Sequence, residues 1–339
     1  MRRRSALLGL LAVALCSPAL VACGGGDDPD LVIYNAQHEE LIDVVAKKFE
    51  KKTGLKVELR NSDDLGLANQ LVAEGDASPA DVFLTENSPA MSLVQSKGLL
   101  TKLDQKTLDQ IPAQYRPADG TWTGFAARST VLVYNTDQVK PADLPKSLLD
   151  LAKPEWKGKV AFSPTGADFQ AIVSAVLHLE GEAKTKEWLA GLKTNGEVYD
   201  GNNVVLQSVN KGDVETGIIY HYYWYRDQEE SGDNSDSSQL YFFGDRTPED
   251  PGAFISVSGA GVLKASDHQA DAQKFVDYLT SAEGQQVIAD SYALEYTLNP
   301  KVDLGRGVKG LKDLDPPDVD VSDLNGPEVV KLMEEAGFL

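Results

Sequence analysis

The order of apolar segments leaves this chain few folds to choose from. "DLVIYNA" reads as a buried strand, and the segment after it, "HEELIDVVAKKFEKKTG", sets Leu41, Val44, Val45 and Phe49 on one helical face and stops at Gly54. "LKVEL" is a second strand, residues 67–74 a second helix and "DVFLTE" a third strand. Such alternation calls for a parallel sheet covered by helices. "TGFAARSTVLVYN" is apolar for long enough to carry the chain into a second body. There the pattern restarts: "GKVAF" is a strand, "GADFQAIVSAVLHLEG" and "KEWLAGLK" are helices, "GEVYD" a strand, "NNVVLQSVNKG" a helix and "VETGIIY" a strand. Strands "LYFF" and "FISVSGAGVL", then helices "QADAQKFVDYL" and "AEGQQVIADSY", follow the polar stretch "SGDNSDSSQ". An acidic tail ends in "NGPEVVKLMEEAGF", where Pro327 opens a helix and Gly337 closes it. Two α/β lobes with crossing strands account for all of this within 339 residues. Ligands of such sheets bind beyond the carboxyl ends of the strands.

The first residues stand outside that pattern. "MRRRSALLGLLAVALCSPALVAC" has a basic start, an apolar stretch and small residues before Cys23, as an export signal does, and its apolar run is too short for a spanning helix. Its end, "LVAC", resembles the lipobox of bacterial lipoproteins, which implies removal of residues 1–22 and lipid on the Cys23 thiol, with 23–30 as a flexible tether. Cys16 then leaves with the signal, so neither a disulfide nor a cysteine metal site is available. The formal charge of −20 becomes −23 once the three arginines of the signal are gone. A surface that negative repels nucleic acid and anionic lipid.

Polar side chains sit where strands end: His38 after "LVIYNAQ", Glu86 after "DVFLT" and a run of phenols after "VETGIIY". Four of the twelve tyrosines, Tyr220, Tyr222, Tyr223 and Tyr225, fall within six residues around His221 and Trp224. Three readings compete for that cluster: an aromatic core strand, a stacking face for a flat ligand, or phenol oxygens aimed at one target. Neighbouring tyrosines of a strand point to opposite faces, so a shared target requires a turn or helix start at Tyr222. The polar "YRDQEESG" argues against a continuing strand. No metalloprotease, redox-dithiol, nucleophile-elbow or phosphate-loop motif accompanies these residues; Ser163 lies in "VAFSPTG". Phenols suit a hard, highly charged cation, because only a strong Lewis acid displaces their protons at neutral pH. Two phenolates, one carboxylate and one neutral imidazole together carry the three negative charges that balance Fe(III), whereas Zn(II) or Ca(II) would leave the site over-negative.

The chain resembles bacterial ferric-ion-binding proteins, the substrate-binding components of iron ABC transporters. "VIYNAQHEEL", "PADVFLTEN", "ARSTVLVYN", "KPEWKGKV", "YYWY", "DPGAFISVSGAGVL" and "KLMEEAGF" follow the order found in that family and cover essentially the whole chain after the signal. The resemblance implies a two-lobed periplasmic-binding-protein fold of type II, each lobe a mixed sheet flanked by helices and hinged by crossing strands. Residues 31–129 with about 252–300 would form one lobe, and 130–251 with about 301–339 the other. It places iron ligands at His38, Glu86, Tyr222 and Tyr223 and an arginine beside the metal at Arg128. An anion-holding segment falls at Thr165, Gly166 and Ala167 with Asn202 nearby, for a synergistic phosphate or carbonate. Tyr220 stands where the best-known members carry an asparagine contacting that anion, and Phe169 where three-tyrosine relatives place another phenol.

The resulting expectation is a monomeric, lipid-anchored solute-binding protein on the extracytoplasmic face of the cell membrane, in the periplasm if the cell has one. It captures Fe(III) between its lobes, catalyses nothing, and hands the ion to a permease driven by an ATPase. The same fold holding a polyamine or sugar is the first alternative, with the aromatic cluster stacking instead of ligating. A tyrosinate-iron oxygenase is the second.

Overall fold

The computed structural model describes residues 28–245, 247 and 249–339. Cys23 and the tether before Asp28 therefore lie outside the described residues. In chain order the elements are β1 (Leu31–Asn35), α1 (Glu39–Thr53), β2 (Val57–Asn61), α2 (Asp64–Glu74), β3 (Val82–Leu84), α3 (Ser88–Ser96), α4 (Gln105–Leu108) and β4 (Trp122–Asn135). Next come β5 (Val160–Phe162), α5 (Ala167–Asn195), β6 (Gly196–Val198), α6 (Asn202–Lys211), β7 (Thr216–Tyr220), α7 (His221–Glu230) and β8 (Ser238–Tyr241). The chain closes with β9 (Ile255–Val262), α8 (Gln269–Thr280), α9 (Ala282–Ala289), β10 (Tyr296–Thr297) and α10 (Gly326–Glu335).

The strands run in the order β2-β1-β3-β9-β4-β7-β5-β6, with β8 and β10 also paired to β4. β1 is parallel to β2 and β3, and β5 is parallel to β6 and β7. β9 and β4 are antiparallel to their neighbours, so each half of the sheet is mixed. β4 is the long apolar run of the sequence, and it serves both halves. It pairs with β9 as far as Ser129 and with β7 from Thr130 onward, and all fourteen of its residues are buried. At its start the register slips between Gly124 and Ala126; a side chain on Gly124 would collide with Val257, Leu298 and the Tyr115 carbonyl.

Helices cover both faces, which is why the strands read as continuous apolar runs. Leu31 and Ile33 of β1 enter one core with Leu41, Ile42, Val45 and Phe49 of α1, while Tyr34 turns to another with Leu67 and Leu71 of α2. Val44, expected on the buried face of α1, is exposed instead: the buried stripe is 41, 42, 45, 46 and 49, and Val44 falls at its edge. α2 begins at Asp64, earlier than the sequence suggests, because Asp63 caps it by accepting from the Gly66 N–H at 2.8 Å. The two helices expected over 167–195 are one run broken at Gly181, whose φ of 79° only glycine adopts freely. "LYFF" is strand only through Tyr241, with Phe243 turning into the core. Among the described residues no helix is long and apolar enough to cross a membrane.

Candidate metal centre

One half of the site hangs from the carboxyl ends of β1 and β3. After β1 the Asn35 side chain braces the turn, its Oδ1 accepting from Gln37 N–H at 3.1 Å and its Nδ2 donating to the Gln37 carbonyl at 2.8 Å. Gln37 Oε1 then accepts the His38 N–H at 2.7 Å, and the imidazole stands at the head of α1 without capping it. After β3 the buried Asp64 carboxylate accepts the N–H groups of Glu86 and Asn87 at 2.8 and 2.9 Å. Arg128 Nη1 donates to the Glu86 carbonyl. The backbone at Glu86 is thereby clamped on both polar groups while its side chain stays free to project. Its Oε1 lies 3.6 Å from His38 Nε2.

The other half comes from β7 and α5. β7 ends at Tyr220 and helix α7 starts at once with His221, so Tyr222 and Tyr223 share a first helical turn instead of opposite strand faces. Their rings lie 4.3 Å apart. Both hydroxyls donate to one oxygen, Asp168 Oδ2, at 3.4 Å from Tyr222 and 3.0 Å from Tyr223. Asn202 Nδ2 donates to the same oxygen at 2.9 Å. Asp168 and Asn202 are the second residue of α5 and the first of α6, so the positive ends of two helices flank this carboxylate. The halves face each other: the His38 ring stands edge-on to the Tyr222 ring with centroids 5.6 Å apart.

Burial and a shortage of cations set the proton inventory. Burial, then the charge of Asp168, push the Tyr222 and Tyr223 phenols well above 10, so both are neutral donors here. Burial and the nearby Glu86 lift Asp168 to about 7. Burial likewise raises Glu86, against the pull of Arg128 and His38. Glu295 behaves oppositely. Burial would raise it too, but Arg128 and His38 hold it at about 2. For His38, burial works downward, yet the Glu295 hydrogen bond and charge lift it above the usual imidazole value. Among the described residues no group of three His, Cys, Asp or Glu side chains is placed to hold a metal ion. The donor set here is completed by phenols, so it suits a cation acidic enough to expel phenolic protons.

The fold has known relatives. Residues 77–306 match the family model described as bacterial extracellular solute-binding protein. The chain belongs to that family. It is 52% identical to the Fe(3+)-binding periplasmic protein of Serratia marcescens over the full length of both chains. It is 37% identical to the major ferric iron-binding protein of Neisseria meningitidis serogroup A, covering 97% of each chain. Iron-bound HitA from Pseudomonas aeruginosa superposes with a TM-score of 0.84 at 39% identity, over 91% of this chain and 99% of that one. This solute-binding protein accordingly has the two-lobed α/β architecture of type II periplasmic binding proteins.

Within that architecture His38, Glu86, Tyr222 and Tyr223 converge, although they come from three separate segments. Arg128 is fully buried beside them, its guanidinium 5.9 Å from the Tyr220 ring. Tyr220 donates to the Asp168 carbonyl at 3.2 Å and approaches Asn87 Oδ1 at 3.5 Å. Thr165 is exposed, while Gly166 and Ala167 are partly buried at the start of α5. Asn202 spends its donor on Asp168. Phe169 lies in the core, stacked between Phe162 and Trp188. His221 faces away from the site: its Nδ1 accepts from Ser129 N–H at 3.2 Å and its Nε2 meets the Leu294 carbonyl at 3.1 Å. The sequence reading passed over Asp64, Asp168 and Glu295. The last was the most visible of the three, a lone acid in "YALEY", where a charge in an apolar run asks for a partner.

Proposed function

We propose that this protein captures Fe(III) between its lobes with His38, Glu86, Tyr222 and Tyr223, and that Asp168 joins them as a built-in carboxylate. The observation that carries this reading is the meeting of both phenol hydroxyls on Asp168, opposite His38 and Glu86. Fe(III) takes the place of the phenolic protons, and the relatives named for ferric iron support the same cargo. Arg128 and Glu295 cancel as an ion pair. Two phenolates, Glu86 and Asp168 then exceed the trivalent ion by one negative charge. A separate dihydrogen phosphate or bicarbonate ion would leave the same balance, so Asp168 supplies from within the charge that the singly charged form of phosphate or carbonate would bring to Thr165, Gly166, Ala167, Asn202 and Tyr220. The lobes, 31–129 with about 252–300 and 130–251 with about 301–339, close over the ion because each supplies part of the ligand set.

Adding ferric citrate to the metal-free protein should produce a red to purple phenolate-to-iron charge-transfer band, in buffer free of phosphate and carbonate as well as in their presence. A protein that stays colourless ends the iron reading. Delivery to the permease of an ATP-driven importer, and a lipid anchor on Cys23, complete the proposal. Cys23→Ser should release the protein from the membrane fraction; retention after a high-salt wash would refute the anchor.

A further inference from the structure

The half of the site that carries His38 and Glu86 is organised around a carboxylate that would touch no iron. We propose that Glu295 is a positioning residue for metal capture, fixing the His38 ring with Nδ1 protonated and Nε2 turned to the cleft while holding Arg128 against the backbone of Glu86. This rests on His38 and Glu86 being iron ligands.

Glu295 is fully buried on the short segment between α9 and β10. Its Oε1 lies 3.0 Å from His38 Nδ1. Its Oε2 accepts from Arg128 Nη2 at 2.7 Å and from Gln37 Nε2 at 3.1 Å. The two oxygens thus divide the work. One stands against the imidazole Nδ1 as its ion-pair partner, and the other anchors the cation and the amide that brace the same two segments. Gln37 passes the restraint on through its own Oε1, which accepts the His38 N–H. Arg128 passes it on through Nη1, which donates to the Glu86 carbonyl. An imidazole can present either nitrogen to a metal, and the hydrogen bond at one nitrogen decides which is left free.

The backbone around Glu295 is shaped for this aim. Leu294 adopts φ 54°, a left-handed conformation uncommon for a branched residue. The turn sends the Leu294 carbonyl toward His221 and the Glu295 side chain toward His38. Because His221 Nδ1 accepts the Ser129 N–H, its proton sits on Nε2 and is donated to Leu294. Tyr296 stacks on that ring at 4.2 Å with an interplanar angle of 7°. The segment carrying Glu295 is therefore gripped from both sides.

Selective ¹⁵N labelling of the four histidines of the full chain reads the proposal without iron. At alkaline pH, where the ring is neutral, wild-type His38, assigned by its loss in His38→Ala, should show the Nδ1–H tautomer. An Nε2–H ring in the wild type overturns the proposal, whatever any variant does. Glu295→Gln should give a tautomer mixture and, against a competing chelator, bind iron about tenfold more weakly. In a His38→Ala background the same substitution should cost only about threefold, because most of its action passes through the imidazole. An equal loss in both backgrounds, or an unchanged ring in Glu295→Gln, would show a merely structural carboxylate. A wild type that never colours sinks the iron reading instead, and the tautomer still decides the role of Glu295.

Discussion

His38 and Glu86 sit among charges already in place, whereas Tyr222 and Tyr223 are neutral phenols that still carry their protons. On the first side Glu295, Arg128 and Gln37 form a fully buried lattice of charge-assisted bonds, and Asp64 clamps the backbone at Glu86. On the second side two neutral phenols lean on a single carboxylate oxygen. Under the proposed mode of iron capture, the difference separates two tasks. A preformed half costs little reorganisation when the ion arrives, but it offers no preference for high charge. A half that gives up phenolic protons responds only to a strongly acidic cation. Stability should therefore be concentrated on one side of the cleft and selectivity on the other.

That division can be broken by substitution. Arg128→Met leaves Glu295 in the interior without its cation, and removing one partner of a buried pair should cost about 3–5 kcal/mol of folding stability. Chemical denaturation of the metal-free protein measures it; a near-normal midpoint would show that the preformed half is not held by its charges. Tyr222→Phe should instead leave stability of the metal-free protein nearly unchanged and weaken iron binding about a thousandfold, ~4 kcal/mol. Tyr223→Phe should behave alike. The charge-transfer band should shift or vanish in either variant, and a Tyr222→Phe protein of unaltered colour would remove the phenolate assignment.

Asp168→Asn sharpens the comparison further. In buffer free of phosphate and carbonate it should bind iron about a hundredfold more weakly, ~2.7 kcal/mol, and added phosphate or carbonate should restore part of the loss. If wild-type binding itself collapses without these anions, Asp168 does not do their work. His38→Ala should cost only about tenfold, ~1.4 kcal/mol, since water can take the place of a neutral ligand. Tyr225→Phe comes last. Its hydroxyl accepts from Lys309 N–H at 3.2 Å, away from the ligand set, so about 1 kcal/mol of stability and no change of colour are expected.

Much of this was legible in the chain. The βα alternation, the long run that became β4 and the break after Tyr220 are local patterns, and local patterns follow from side-chain periodicity. Val44 was misplaced because a helical stripe has an edge that periodicity alone draws too broadly. Asp168 could not be recognised for a different reason. An acid in the first turn of a helix is ordinary, and nothing in "TGADF" says that two phenols from another segment will find it. Glu295 advertised a need for a partner without naming one, and Asp64 resembled any other acid at the head of a helix.

The sequence by itself determined the kind of donors available: phenols after a strand that cannot continue, and a histidine and a glutamate at strand ends. These are matters of chemical type and short-range spacing, which one-dimensional order records. Tertiary structure alone decided which acids would stand among them. Asp168 meets Tyr223 across a separation of 55 residues, and Glu295 meets Arg128 across 167. Contacts of that range depend on how two halves of a sheet close around β4, and only folding brings those charges to a few ångströms of each other, where burial makes their pairing obligatory.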